Sequence, residues 1–203
     1  MGRLVASIVI DGLVVPIAVT DDPALNFCNT RAGWGSPMPK EYLHTHAHLA
    51  VWAGSVGLLG PASVARQRRL ARAAPEQAEA VTARAVALRS ALYAVLLRGG
   101  SRSDWASVNA EVRSAATASS LSPGRPAAWA LDESTVELSL HAVARAVATL
   151  LTGPHAAHVA ACPGAGCGWV FADPRGRRRW CSMAWCGNRA KARRHVERLR
   201  SAL

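Results

Sequence analysis

Four cysteines within one short window constrain this chain more than any other feature of its sequence. Cys162, Cys167, Cys181 and Cys186 are spaced Cys-x4-Cys-x13-Cys-x4-Cys. Two close pairs separated by a hairpin-length spacer suit a tetrahedral zinc ion, because thiolates must come within about 2.3 Å of the metal and two short turns have to meet. Gly164, Gly166 and Gly168 free the first turn to wrap its sulfurs around an ion. Trp169-Val170-Phe171 reads as a strand, Pro174-Arg175-Gly176 as a turn and Arg179-Trp180 as the returning strand. Past Cys186, the residues Ala192, Val196, Leu199 and Leu203 share one face of a helix, with Lys191, Arg193, Arg194 and Arg198 on its other sides.

The expected module is therefore knuckle, hairpin and helix, and it resembles a treble-clef zinc finger. A segment of about 40 residues has too small a core to fold alone, so a structural Zn2+ would supply roughly 10 to 16 kcal/mol of its stability. Four thiolates leave no open coordination position, which argues against a catalytic metal. The competing readings replace one cysteine by His155 or His158, or use the thiols for redox sensing. Cys28 is left over and reads as a small buried apolar residue.

Charge is concentrated in the same region. From Cys162 onward ten Arg or Lys face only Asp173 and Glu197, which places +8 of the total +11 there. The first 161 residues carry the charge of an ordinary domain. Such a cationic end favours a polyanionic partner. Arginine outnumbers lysine heavily, Lys40 and Lys191 being the two lysines, so its clustering counts for more than its abundance. The apolar stretch Leu4 to Val19 is interrupted by Asp11, Gly12 and Pro16, too broken for a membrane span or an export signal. The expected compartment is the cytoplasm (nucleoid-associated, with no membrane partner), where four close cysteines point to a metal before disulfides.

The preceding chain reads as mainly α with a small N-terminal β-hairpin, an α+β domain over residues 1–153, followed by the finger at 158–203. Asp11-Gly12 suits a type I′ turn between two short strands. Pro39 can open a helix carrying His44, His46 and His48; His44 and His48 are four apart, but a solvated or core-edge role outweighs metal binding. Ser63 can cap a basic helix, and Pro75 can open a longer one with Val81, Ala85, Leu88, Leu92 and Leu96 at helical spacing, ended by Gly99-Gly100. Ser103 can cap the next, which fades into a small-residue loop around Ser122 to Pro126. Ser134 with Glu137 forms a capping box for a last helix whose stripe is Val136, Leu140, Val143, Val147 and Leu150.

The segment RRRWCSMAWCGNRAKARRH closely resembles the signature of the CGNR zinc-finger family, spelled by Cys186-Gly187-Asn188-Arg189, and CPGAGCGWVFADPRG fits the same module. ALNFCNT, followed by Trp52 and Gly57-Leu58-Leu59, resembles the start of the helical ABATE domain that precedes this finger. The resemblance implies a bacterial, stress-associated transcription regulator whose finger binds double-stranded DNA. Cys28 stands where an aliphatic residue is common, and Asp173-Pro174-Arg175-Gly176 replaces a turn that often carries serine and asparagine, so no phosphate contact is carried over to that turn.

On this reading Arg193, Arg194, Arg198 and Lys191 reach phosphates or groove edges, and Arg177, Arg178 and Arg179 grip the flanking backbone. Asn188 and Arg189 are candidates for direct base contact, against a structural role in which Asn188 caps the helix and Arg189 braces the knuckle. The alternative is an RNA-binding or ribosome-associated module in which Trp169, Trp180 or Trp185 stacks on bases. No nucleophile elbow, phosphate loop, HExxH pair or carboxylate dyad is present in the sequence, and no enzymatic activity is expected. Leu25 and Phe27 read first as anchors of a helix or turn, with Asn29 and Thr30 hydrogen-bonding nearby backbone; on the sharper reading Asn26, Asn29, Thr30 and Trp52 are the candidates for a small-molecule effector pocket, and a homodimer is expected if the target is palindromic.

Overall fold

The computed structural model describes residues 7–201. Leu4 to Ala6 of the expected hairpin and Leu203 of the expected helical stripe lie outside them. The chain opens with β1 (Ser7–Ile10) and β2 (Leu13–Pro16), antiparallel with Ile10 opposite Leu13. Asp11 and Gly12 between them both have positive φ, 50° and 78°, as a type I′ turn requires. Pro16 sits at the strand end opposite Ser7, where a missing N–H costs little.

Helix α1 (Pro23–Cys28) is capped by the Asp22 carboxylate, which accepts from the N–H groups of Ala24 at 2.8 Å and Leu25 at 3.1 Å. A two-residue ladder, β3 (Arg31–Ala32) with β4 (Lys40–Glu41), follows. This corrects the expected helix start at Pro39. Glu41 is drawn inward by Arg89, which holds the segment extended, and α2 (His46–Ser55) begins only after Thr45. His44 is therefore outside the helix. His46 is buried with Nε2 at 2.7 Å from the Val136 carbonyl oxygen, and His48 contacts the Thr45 hydroxyl, so these histidines have packing and turn partners.

Helices α3 (Pro61–Ala73) and α4 (Pro75–Arg98) are separated by Ala74 alone. Ser63 does not cap α3; it lies in its first turn and donates to Glu133. Helix α4 buries Val81, Ala85, Leu88 and Leu92 as their spacing predicts, and Gly99 ends it in the left-handed conformation. It is long and apolar enough to cross a membrane by length and composition, and here it lies in the core.

Helix α5 (Arg102–Thr117) is capped by Ser101 with Asp104, a reciprocal capping box two residues before the expected Ser103. The expected loop contains a second hairpin, β5 (Ser119–Ser122) with β6 (Ala128–Leu131), whose small residues give no alternating pattern. Helix α6 (Leu138–Thr152) starts later than a Ser134 cap would allow. Ser134 is bound to Asp132 and Glu137 is held by Arg84, so the expected capping box does not form. Leu140, Val143, Val147 and Leu150 are buried as the stripe predicts.

A mainly helical body with small strand pairs is thus what the sequence implies. Its main core joins residues of α1, α2, α4, α5 and α6 and includes Val170 from the far end of the chain. A second, smaller core gathers Ala32 and Tyr42 with all four clustered cysteines, Trp169 and Phe171.

Candidate metal centre and nucleic-acid interface

The knuckle is built on β7 (Val159–Ala161) and β8 (Val170–Ala172), paired antiparallel with Ala161 opposite Val170. This corrects the expected hairpin, since Val170–Ala172 pairs backwards with Val159–Ala161 and Arg179-Trp180 forms no strand. The first cysteine pair occupies the loop between the two strands. Cys162 N–H donates to the Trp169 carbonyl at 2.7 Å, and Cys167 N–H to that of Gly164 at 2.9 Å. The second pair is closed by a single wide helical turn, Met183–Gly187, in which Cys186 N–H donates to Ser182 O at 3.0 Å.

The four sulfurs lie within 4.8 Å of one another, all buried and none in a disulfide. Cys181 Sγ is 3.6 Å from both Cys167 Sγ and Cys186 Sγ. A tetrahedron of thiolates about 2.3 Å from a central zinc has edges of about 3.8 Å, so donor set and spacing fit one structural zinc ion. A Cβ at Gly164 would stand 2.9 Å from Cys186 Sγ and 3.4 Å from Cys162 Sγ, which makes glycine a requirement of this cradle. The Arg189 guanidinium donates to Cys186 Sγ at 3.1 Å. The positive charge of Arg189 at the Cys186 sulfur favours a thiolate, the form that binds metal.

The knuckle is clasped to the helical body along a seam that the sequence did not announce. Asn29 acts as a surrogate strand: Nδ2 donates to Val170 O at 3.0 Å while Oδ1 accepts from Val170 N at 2.8 Å. Gly33 N–H donates to Cys167 O at 2.8 Å, Trp169 Nε1 to Arg31 O at 3.1 Å and the Tyr93 hydroxyl to Gly168 O at 2.9 Å. Trp34 stacks on Tyr93 with ring centroids 3.9 Å apart. Arg31, Trp34, Tyr42 and Tyr93 went unread because their spacing follows no period; only the glycines of the knuckle hinted at a close approach.

The expected effector pocket does not form. Asn26, Asn29, Thr30 and Trp52 are each at most 3% exposed, and the side-chain polar groups of Asn26, Asn29 and Thr30 are hydrogen-bonded within the protein. Asn26 bridges Val19 N and Thr20 O, and the Thr30 hydroxyl donates to Phe27 O while accepting from Arg89. Trp52 packs against Phe27. A cleft of about 740 Å³ opens elsewhere, with Ala71, Pro75, Ala78 and Val86 in its walls. Cys28 is fully buried, and burial pushes its thiol far above the ordinary range.

The basic residues separate into two groups. Arg178 turns inward, donating to Val19 O at 2.7 Å, Trp180 O at 3.1 Å and Cys181 O, with its guanidinium over the Phe171 ring. It therefore braces the finger instead of gripping a phosphate. Asn188 Nδ2 lies 3.4 Å from Ala184 O and Arg189 donates to the Cys186 sulfur, contacts that fit the structural role of each, while both residues stay exposed. Arg177 and Arg179 remain exposed.

Helix α7 (Asn188–Arg200) buries Ala190 alone, and Lys191, Arg193, Arg194 and Arg198 are exposed on it. Among the described residues none of these cations pairs with an acid. Of the three tryptophans, Trp169 is buried, Trp180 is half-buried under Arg179, and Trp185 is 47% exposed.

Residues 21–154 match the family model ABATE, described as "Putative stress-induced transcription regulator", and residues 158–199 match the CGNR zinc finger. No curated protein matches the chain.

Proposed function

From a chain that belongs to the ABATE family and carries a CGNR zinc finger, we propose a zinc-dependent regulator that binds double-stranded DNA through α7 and the turn before it. The observation that carries this reading is the projection of a cationic helix from a metal-clamped base. With Arg178 turned into the fold and Arg189 bonded to the Cys186 sulfur, six of the expected basic contacts remain free to meet phosphate: Arg177, Arg179, Lys191, Arg193, Arg194 and Arg198. A helix held at one end by zinc and by the seam presents these charges without having to order them on binding. The N-terminal domain contributes the platform, through Asn29 and Tyr93.

Titrating zinc-loaded protein into labelled duplex across a range of salt tests the proposal. Six neutralised phosphates give a slope of log affinity against log salt near −5, at about −0.9 per contact. Replacing Arg193, Arg194 and Arg198 by alanine reduces the slope by about 3. A flat salt response overturns the reading. Single-stranded RNA as competitor addresses the alternative: exposed Trp185 is the one feature favouring it, and RNA displacing duplex at equal salt would replace the DNA reading.

A further inference from the structure

The amphipathicity of α7 is inverted relative to a docked helix. A surface helix ordinarily turns its apolar stripe toward its own core. At about 100° per residue, Ala192, Val196 and Leu199 fall within an arc of about 60°, and Ala190 lies about 150° from the centre of that arc. Ala190 is the residue α7 buries, whereas Val196 is 46% and Leu199 56% exposed. The stripe therefore points away from the protein. Basic residues flank it on both sides, with Arg193 and Arg200 on one and Lys191 and Arg198 on the other, while Arg194 lies beside Ala190 on the opposite face.

Resting on the proposed binding of duplex DNA, we infer that this outward stripe reads thymine 5-methyl groups on the floor of the major groove, while the two basic rows reach the phosphates of opposite strands. The dimensions agree: a helix with side chains is about 10 to 12 Å across and the groove about 12 Å wide. The chemistry agrees as well, because the thymine methyl is the apolar group a major groove displays and small aliphatic side chains are its natural partners. Asn188 and Arg189 stay exposed in the first turn, with Nδ2 of Asn188 3.4 Å from Ala184 O and Arg189 bonded to the Cys186 sulfur, so further along the helix the outward face is apolar. A second copy of the stripe is a poorer partner, because stripe-to-stripe pairing would bring two sets of unpaired arginines together. An anionic membrane surface is a poorer occupant, because helices that lie in it bury a broad apolar face carrying Trp, Phe or Leu, and α7 offers a stripe of three aliphatic residues and no aromatic one.

The test uses the full zinc-loaded chain and a duplex selected from a random pool. Thymines are replaced by deoxyuridine, which deletes the methyl alone, and binding is compared for the native protein and for Val196→Ser/Leu199→Ser, with zinc content and melting temperature confirming the fold. Each methyl under the helix should contribute about 4-fold in affinity, with the salt slope unchanged, and the double variant should lose the discrimination. If deoxyuridine is tolerated, or if the double variant still discriminates, methyl reading fails while salt-dependent DNA binding stands. If no duplex is bound in a salt-dependent manner, the DNA reading itself fails. Self-association without DNA, or binding to anionic vesicles, that disappears in the double variant would assign the stripe to a second copy or to a membrane and overturn the inference.

Discussion

Arg89 is fully buried, and its guanidinium donates to both oxygens of Glu41 at 2.6 and 2.5 Å and to the Thr30 hydroxyl at 3.1 Å. Glu41 also accepts from the N–H groups of Tyr42 and Leu43, at 2.9 and 2.8 Å. Burial raises the Glu41 pKa, but the Arg89 bonds, its charge and these N–H groups outweigh it, so the carboxyl is held below its ordinary value. A depressed folded-state value means that the contribution to stability is complete above the unfolded pKa of about 4.3 and is lost as pH falls through the folded value. Glu41→Gln leaves a buried cation without its partner and should cost about 3 kcal/mol at neutral pH, the lower end for a buried pair because Glu41 is 32% exposed. Urea titrations at pH 7 and pH 3.5 check this: the gap between the native protein and the variant should narrow in acid. A gap independent of pH would remove the pair from the acid response.

At the scale of elements, the seam between knuckle and body is the arrangement on which the finger depends. Gly168 has φ +68°, and a Cβ there would meet the Trp34 Cβ at 2.7 Å and its backbone at 3.2 Å. Gly168→Ala therefore combines left-handed strain with overpacking against a stacked aromatic pair and should cost about 2 to 4 kcal/mol by chemical denaturation.

How much of this was legible follows from the physics of each element. The metal ligands were legible because tetrahedral coordination fixes their spacing, and α4 and α6 because a buried stripe repeats with the helical period. Strand β7 was not: Val159-Ala160-Ala161 is three residues long and has no alternation. The N-caps of α3 and α5 fall three and two residues before the expected serines, at Gly60 and Ser101, because Ser63 is drawn to Glu133 and Ser101 finds its reciprocal partner in Asp104. Charge identified a cationic surface but not which arginines form it. Arg178 and Arg177 are neighbours, and only the fold tells the brace from the exposed one. Asn29 does bond to backbone, but to Val170 rather than to nearby residues, and a buried amide that mimics strand pairing leaves the same trace in sequence as a ligand-binding amide.

For the whole molecule, the two family matches divide the chain between residues 154 and 158, yet neither core respects that division. Val170 completes the main core, while Ala32 and Tyr42 complete the small one around the cysteines. Loss of zinc should therefore be felt throughout the chain. Extraction by a competing chelator should release one zinc per chain by elemental analysis, lower the melting temperature of the entire protein and raise amide exchange in α1 and around Gly33, in a single transition. Two separate transitions, with α1 unaffected, would show the finger to be autonomous. Cys181→Ser should reproduce the metal-free behaviour.

The lining that Ala32 and Tyr42 provide has a consequence for building with these parts. A finger excised at residue 158 and grafted onto another protein would arrive without two walls of its own interior and without the Asn29 clasp on β8, and the donor body would be left with the hole that Val170 had filled. Exchange between such proteins is workable only as a graft that carries the stretch from Asn29 to Tyr42 along with the finger, so the unit of inheritance here is the pair, not the module.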